Sequence, residues 1–173
     1  VYRKSGSNND DPYWSLEINN HRLHFKGLTS DGVSFDLGSN VIGTGESWHH
    51  GAVFVQDDSI RLYLDGVIVS AIERPSGNMA TSARMWVGVD GVVVPVADNR
   101  YSGSIYDLRI WSEPPDQSLL EKERWLPVMS NRVSGIAAIF EFNVGSGSTA
   151  YDRSGNGKNL SLFGNPVWST SAP

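Results

Sequence analysis

Short runs in which apolar and polar residues alternate make up most of the chain, and clusters of Gly, Asn, Asp and Ser separate them. Alternation of this kind puts one set of side chains on one face of a β-strand, so the pattern predicts an antiparallel, all-β fold. The clearest example is WSLEINNHRLHFKG, where Leu16 and Ile18 alternate before a turn and Leu23 and Phe25 alternate after it. Asn19–Asn20 can supply the positive φ angles of a type I′ turn. The stretch therefore predicts a β-hairpin whose apolar face, including Leu16 and Ile18, lies in the core.

Further strands and one helix follow from the same reasoning. The strands are predicted at Val33–Leu37, Gly51–Gln56, Ile60–Leu64, Val67–Ile72, Arg84–Val89, Gly103–Trp111 and Ala137–Asn143. The tripeptide Asp-Gly-Val recurs beside such runs, where it predicts tight turns and not a functional repeat. Only Ser118–Leu126 predicts a helix, with Asp116 or Ser118 as its N-cap. We therefore predict an antiparallel two-sheet β-sandwich with one short helix.

Length, charge and cysteine content narrow the possible partners. A chain of 173 residues can bury a core without disulfides or bound metal, and this chain has no cysteine. We predict a single domain over residues 1–173. Its net charge is −5 and its Lys and Arg are scattered, so it lacks the basic surface that nucleic acids or anionic membranes require. The longest apolar runs, Val92–Ala97 and Ile136–Phe140, fall far short of the roughly 20 residues of a membrane span. Nucleic-acid binding and membrane insertion are therefore not expected.

Three stretches, taken in order, resemble one known family of modules. The first, WHHGAVFVQDDSIRLYLDGVIVS, is similar to that family's Trp-x-His, strand, turn, strand, Tyr-x-Asp-Gly pattern. The second, YSGSIYDLRIWSEPPDQSLLEKE, is similar to its Gly-x-Ile-Asp-x-x-Arg-Ile-aromatic strand and short helix, and GIAAIFEFNVGSGSTAYDRSGNGKNLSLFGNPVW to its Asp-x-Ser-Gly-Asn-Gly segment. Together they resemble laminin-G-like, concanavalin A-like jelly-roll modules of the pentraxin-related type. The resemblance implies a recognition module of a larger secreted or cell-surface protein, and hence an extracellular location.

Two departures from the family pattern bear on the limits of the domain. The family has a first pair of strands ahead of the point that matches VYRKSG, and the chain begins at Val1 without a methionine or a signal-like segment. We therefore expect it to lack its first strands or to be cut from a longer chain. The third motif, usually found at a domain start, comes last here. We expect it to close this sandwich, because it would otherwise begin a following repeat and leave a bare sheet edge.

Three motifs that are typical of enzymes are missing from the sequence. Glycoside hydrolases with this kind of sandwich need two facing carboxylates, but no Glu-x-Asp-x-x-Glu strand is present, and Asp10–Asp11 and Asp57–Asp58 lie in turn contexts. There is no nucleophile elbow and no phosphate-binding loop. The adjacent His49 and His50 point to opposite faces if they lie on a strand, so they cannot share one metal ion and are predicted to be structural. We therefore predict that the chain is not an enzyme.

The polar segment DRSGNGKN offers the best chemistry for a cation. Ca²⁺ takes six to eight oxygens from carboxylates, amides and carbonyls of irregular backbone, which makes Asp152, Asn156 and Asn159 candidate calcium ligands. A second carboxylate would have to come from another loop. The candidates for it are Asp98, Asp90 and Asp11. Two alternatives stay open for the segment: a structural Asx turn, and a glycan acceptor at Asn159–Ser161.

Carbohydrate recognition is the main functional hypothesis, because sugars offer CH faces to aromatic rings and hydroxyls to polar side chains. If Met85 and Val87 face the core, Trp86 lies on the opposite side of its strand and is available to a ligand. The loop that follows has the polar and aromatic composition of sugar-binding loops, although a plain surface turn explains it too. The predicted ligand-binding residues are Trp86, Asp98, Asn99, Arg100 and Tyr101, with Trp111 and Trp14 as weaker candidates.

Two further functions remain open at this point. One is a protein-binding adhesion or spacer domain without sugar affinity, and the other is an accessory domain of a polysaccharide-degrading enzyme. The expected partner is accordingly a glycan or polysaccharide, or else an extracellular protein.

Overall fold

The computed structural model describes residues 2–4, 12–42, 47–80, 84–89, 100–116, 118 and 134–169. The strands are β1 (Tyr2–Lys4), β2 (Tyr13–Asn19), β3 (Arg22–Leu28), β4 (Ser34–Val41), β5 (Gly51–Val55), β6 (Ser59–Leu64), β7 (Val67–Glu73), β8 (Met85–Trp86), β9 (Leu108–Trp111), β10 (Ile136–Phe140), β11 (Thr149–Ala150) and β12 (Leu160–Ser161). The chain forms two compact units, Val1–Ser102 and Gly103–Pro173. The single domain over residues 1–173 stays a prediction.

The first unit contains two antiparallel sheets that share one core. One sheet has the strand order β4-β3-β2-β1-β8 and the other the order β5-β6-β7. Leu23, Phe25 and Leu37 from the first sheet form one buried cluster with Ile60 and Leu62 from the second. Burying side chains of this size contributes roughly 1.5–3 kcal/mol each, so this cluster holds the two sheets together. The predicted all-β, two-sheet sandwich is confirmed.

The β2–β3 hairpin forms where the sequence predicts it, but its turn lies one residue later. Asn20 and His21 have the positive φ angles, 48° and 57°, and Asn19 still pairs with a strand residue. The observed register places Trp14 opposite Gly27, where a Cβ would come within 2.4 Å of the Phe35 ring. Gly27 lies opposite Phe35 in the pairing of β3 with β4, so its missing side chain makes room for the Phe35 ring, while the two-residue turn at Asn20 and His21 sets the register of the β2–β3 hairpin.

One residue near the end of the hairpin, predicted to lie in the core, is exposed in the structure. Leu16 packs against the buried cluster as expected, but the side chain of Ile18, two residues nearer the turn, is 51% exposed. The alternation of apolar residues identifies the inward-facing side of a strand. It does not say where along that strand the opposite sheet ends.

Three predicted strands are shorter in the structure, and a residue with positive φ lies within two positions of the shortened end of each. Only β8 remains of Arg84–Val89, because the chain bends at Gly88 (φ 77°). Gly103–Trp111 is reduced to β9, which starts after Asp107 (φ 52°), and Ala137–Asn143 is reduced to β10, which stops before Phe142 (φ 51°).

One predicted strand was too short, and the predicted helix falls largely outside the described residues. Strand β4 covers Ser34–Val41 where Val33–Leu37 was predicted. Of the predicted helix Ser118–Leu126 only Ser118 is described, and its backbone N–H donates to Asp116 Oδ1 at 2.7 Å. This is the contact that an N-cap aspartate makes.

The second unit contains two short antiparallel pairs of strands. Strands β9 and β10 form one pair, and β11 and β12 form the other. Ala138, Ile139 and Phe140 of β10 are buried, as is Ala150 of β11. The loop between β11 and β12 contains the predicted calcium ligands.

Candidate functional site

A row of side chains crosses the outer face of the five-stranded sheet, the face opposite the core. Asp36 of β4 lies opposite Lys26 of β3, and Lys26 lies opposite Ser15 of β2. Ser15 and Trp86 of β8 both lie opposite the backbone position of Tyr2 in β1. Directly opposed residues in antiparallel strands project to the same side of a sheet. Trp86 therefore shares the outer face with Ser15, Lys26 and Asp36. The neighbouring Met85 aligns with Trp14 on the core side, so the predicted orientation of this strand is correct.

Ion pairs organise the part of the outer face around Lys26. Its ammonium group lies 2.6 Å from Glu17 Oε1 and 3.9 Å from Asp36 Oδ2, and His24 Nδ1 lies 2.8 Å from Asp36 Oδ1. The hydrogen bond that Lys26 donates to Glu17 raises the pKa of Lys26, against the opposing effect of desolvation. Lys26 therefore stays charged and keeps its three donors at any physiological pH.

These ion pairs remain open to solvent. The side chains of Lys26, Glu17 and Asp36 are 28%, 36% and 49% exposed. Solvated pairs of this kind each contribute about 0–1 kcal/mol to stability, so the outer face is not what holds the sheet together. The charged groups of Lys26, Glu17 and Asp36 are therefore accessible and held in place by one another, whereas Ser15, which lies between Lys26 and Trp86 in the row, is only 3% exposed.

Gly38 gives the outer face room for the imidazole of His24. A Cβ at Gly38, which is opposite His24 in the register, would lie 3.2 Å from His24 Cε1. Next to this pair, the Arg22 guanidinium donates to Ser39 O at 3.0 Å. The imidazole can therefore lie against the backbone of β4 and reach Asp36, and this arrangement depends on the missing side chain.

Two further predicted ligand residues, Arg100 and Tyr101, lie beside the segment that follows β8. The Tyr101 N–H donates to Gly88 O at 2.9 Å, and Arg100 forms an isolated β-bridge with Val89. Both side chains are exposed, whereas Trp86 is partly buried. The structure thus places Trp86, Arg100 and Tyr101 on two neighbouring segments.

The structure gives different results for the remaining predicted ligand-binding residues. Asp98 and Asn99 lie outside the described residues. Trp14 is corrected to a core residue, since it packs against the buried cluster with its ring 6.3 Å from that of Phe25. Trp111 is partly buried and pairs with Ile136 in the second unit. Lys26, Glu17, Asp36 and His24 were missed, although their alternation opposite Leu23 and Phe25 was the signal that could have found them.

The two histidines after Trp48 are both held by the turn between β6 and β7. Asp65 in this turn accepts from the backbone N–H of His50 at 2.8 Å, and its other oxygen lies 2.8 Å from His49 Nδ1. Tyr63, two residues earlier, is only 1% exposed and its ring centroid lies 4.9 Å from that of Phe54. The Trp-x-His and Tyr-x-Asp-Gly motifs therefore build one structural unit, in which the Asp carboxylate fixes the histidine segment.

The predicted calcium ligands lie in the edge loop, residues 152–159, which runs beside strand β10. Asp152 Oδ1 accepts from the backbone N–H of Ile139 at 3.0 Å and of Ser154 at 2.9 Å, and Oδ2 accepts from that of Lys158 at 3.0 Å. The Arg153 N–H donates to Ile139 O at 2.8 Å. Both oxygens of the Asp152 carboxylate thus accept hydrogen bonds from backbone amides.

Asn156 and Asn159 complete the edge loop through their side chains. The Asn156 amide donates to Ile136 O at 3.1 Å and to Ala137 O at 3.2 Å, and Asn159 Oδ1 accepts from the Asp152 N–H at 2.9 Å. Partial burial opposes ionisation of Asp152, but its hydrogen bonds outweigh this and lower its pKa to about 2. The edge loop thereby satisfies the backbone of β10 on the side away from β9.

A cation at the edge loop would have to share Asp152 and Asn159 with the backbone N–H groups from which they already accept hydrogen bonds. Among the described residues, no group of three or more His, Asp or Glu side chains is arranged to hold a metal ion. The calcium prediction at Asp152, Asn156 and Asn159 stays a prediction, and the Asx-turn geometry is what the structure contains at these residues.

Comparison with known protein families identifies the fold. A family model described as the concanavalin A-like lectin/glucanases superfamily matches residues 1–118. The chain belongs to this superfamily. Searches of curated proteins and of solved structures gave no match. The match to the superfamily includes the outer face and ends before the edge loop, so the laminin-G-like, jelly-roll resemblance is confirmed for that part of the chain.

Superfamily membership supports a ligand-binding function in general, because the superfamily contains both lectins and glucanases. Within the described residues, no helix has the length and apolar character needed to cross a membrane.

Proposed function

We propose that this chain is a non-catalytic glycan-binding module of a larger extracellular or cell-surface protein, and that the glycan lies on the outer face. The observation that carries the proposal is the register that puts Trp86 on the same sheet face as Lys26 and Asp36. An aromatic ring packs against the CH face of a sugar, while charged and amphoteric groups bind its hydroxyls.

The ion pairs of the outer face suit this role. Lys26 donates, Glu17 and Asp36 accept, and His24 does either according to its tautomer. Because these side chains already hold one another in place, less conformational freedom is lost when a ligand binds. A sugar hydroxyl can therefore join an existing set of hydrogen bonds.

The span of the row favours an oligosaccharide over a single sugar. Strand β8 is separated from β3 by β1 and β2, so Trp86 and Lys26 lie about 14 Å apart at a usual strand spacing. Arg100 and Tyr101, beside the segment after β8, offer further contacts at the tryptophan end.

The surroundings of the two carboxylates support a non-catalytic role. A glycosidase needs one carboxylic acid that stays protonated in an apolar pocket beside a second, ionised carboxylate. Glu17 and Asp36 are both open to solvent and share the Lys26 ammonium. Detection of hydrolysis of any polysaccharide by the purified chain would overturn this part of the proposal.

Glycan-array binding followed by calorimetry with the best ligand tests the glycan site. Trp86→Ala should weaken binding by about tenfold or more, since ring packing contributes on the order of 1.5 kcal/mol. Trp168→Ala is the matched control, because Trp168 is also partly buried but lies in the second unit, where its indole N–H donates to Gly147 O. Binding to no glycan, or equal loss in both variants, would reject the outer face as a sugar site.

Calcium assistance is the second part of the proposal. Melting curves with added Ca²⁺ and with EDTA test it, because a ligand that binds only the folded state raises the melting temperature. A rise that Asp152→Asn removes would support a site at the edge loop. Unchanged melting would exclude calcium from the function.

A protein-binding adhesion domain is the alternative function, and exposed apolar side chains in the second unit favour it. Phe163 and Val167 are 72% and 91% exposed, and Tyr151 is more than half exposed. Scattered apolar residues are normal on a protein surface, which makes this the weaker candidate. Loss of adhesion to a protein ligand in Phe163→Ser, with glycan binding intact, would favour it over the glycan site.

A further inference from the structure

The edge loop contains the one Asn-Gly pair of the sequence, Asn156–Gly157. An asparagine that precedes glycine is the most susceptible to deamidation, because no side chain hinders the attack of the glycine backbone nitrogen on the asparagine Cγ. The reaction requires the asparagine side chain to rotate until Cγ meets that nitrogen. In an unfolded segment, nothing opposes this rotation.

The structure opposes this rotation by holding the side chain of Asn156. Its Nδ2 donates to Ile136 O and to Ala137 O, which ties the side-chain amide to strand β10. On either side of the pair, the Asp152 carboxylate holds the backbone N–H groups of Ser154 and Lys158. Reaction therefore requires these hydrogen bonds to break first.

We propose that Asn156 is a latent deamidation site whose reaction is gated by opening of the edge loop. When the loop opens, the Gly157 nitrogen forms a bond to Asn156 Cγ and loses its proton, and Nδ2 leaves as ammonia. The resulting cyclic succinimide is then opened by one water molecule, which gives aspartate or isoaspartate at residue 156. No oxidant or cofactor takes part.

The product cannot restore the edge loop. A carboxylate only accepts hydrogen bonds, so the carbonyl oxygens of Ile136 and Ala137 lose their donor and face a negative charge instead. Isoaspartate also adds a carbon to the backbone at a position followed by Gly157 with φ 68°. Deamidation thus converts a reversible opening into a permanent release of the edge loop from β10.

Mass spectrometry of the tryptic peptide 154–158 measures the reaction directly, because deamidation adds one mass unit. The folded chain and the chain in urea are incubated side by side at mildly alkaline pH, with Asn159, which precedes leucine, as a reference in the same digest. We expect the folded chain to react at least about tenfold more slowly, since reaction requires local opening. Equal rates in the two conditions, or no reaction in urea, would overturn the proposal.

Three variants test whether the edge loop controls the deamidation of Asn156 and whether deamidation destabilises the protein. Asp152→Asn should raise the rate in the folded state toward that in urea, and an unchanged rate would show that the edge loop is not the gate. Asn156→Asp, which imitates one product, should lower the melting temperature by about 3–8 °C through the lost hydrogen bonds. Asn156→Gln retains an amide and should stay unmodified; melting of Asn156→Asp at the temperature of the parent would contradict the release of the edge loop.

Discussion

The outer face of the first unit and the edge loop of the second are both polar, but their side chains bind different kinds of partner. On the outer face, Lys26 binds the side chains of Glu17 and Asp36, and all three remain partly exposed. In the edge loop, the oxygens of Asp152 and the amide of Asn156 bind backbone groups of the loop and of β10. Similar residue types thus stay open to solvent in one region and satisfy backbone groups in the other.

This difference shows how a binding surface can be told from a structural turn. A side chain that satisfies backbone groups cannot leave them without loss of stability, because a buried or partly buried amide without a partner is costly. Side chains paired with one another at the surface exchange partners with little loss. The first arrangement predicts large effects of mutation on folding, and the second predicts effects on binding alone.

The largest expected effect is the loss of stability in Asp152→Ala. Its carboxylate accepts from the backbone N–H groups of Ile139, Ser154 and Lys158, and the variant should lose about 2–4 kcal/mol in free energy of unfolding. Urea denaturation measures this. Asp57→Ala is the matched control, since Asp57 is fully exposed with one ion-pair contact at 4.0 Å, and it should change stability by less than about 0.5 kcal/mol. Equal losses would erase the contrast between the two regions.

An acid-dependent loss of stability comes next. The pKa of Asp152 is lowered from 3.8 to about 2 on folding, so the ionised carboxylate contributes stability that is fully present above pH 3.8. As the pH falls through this value toward 2, the unfolded chain takes up the proton first and the contribution disappears. Because the carboxylate is partly solvated, we expect about 1 kcal/mol. Urea denaturation at stepped pH should show this loss in the parent and not in Asp152→Asn.

The smallest expected effect on stability lies on the outer face, in Lys26→Met. Its ion pairs are solvent-exposed, so the free energy of unfolding should change by less than about 1 kcal/mol, while glycan affinity falls by about tenfold. Lys158→Met, in the edge loop, is the control, since only its backbone N–H contacts Asp152. A large loss of stability in Lys26→Met with glycan affinity retained would reverse the roles assigned to the two regions.

Much of the first unit is predictable from the sequence. Alternation at Leu23 and Phe25 fixes which side of β3 faces the core, and from it follows the opposite orientation of His24 and Lys26. The candidate site is less predictable, because strands distant in sequence supply it. Trp86 and Ser15 come into one row because β8 and β2 both pair with β1, which no local pattern in either segment indicates.

The edge loop also shows that a local sequence pattern does not identify the partners of a polar side chain. Its Asp, Asn and Gly residues predict an irregular, polar turn, and that prediction fits a calcium site or an Asx turn equally well. The choice of partners for Asp152 and Asn156 depends on β10 lying alongside, and Ile136, Ala137 and Ile139 carry no sequence signal for that contact.

The sequence by itself determined the all-β class, the faces of the strands and the lack of a Glu-x-Asp-x-x-Glu strand, because these depend on local periodicity and on which residue types are present. Only the tertiary structure decided where strands end, which distant strands pair and which polar side chains remain accessible. Those properties depend on packing and hydrogen bonds between segments far apart in the chain, such as β8 beside β1 and Asn156 on β10.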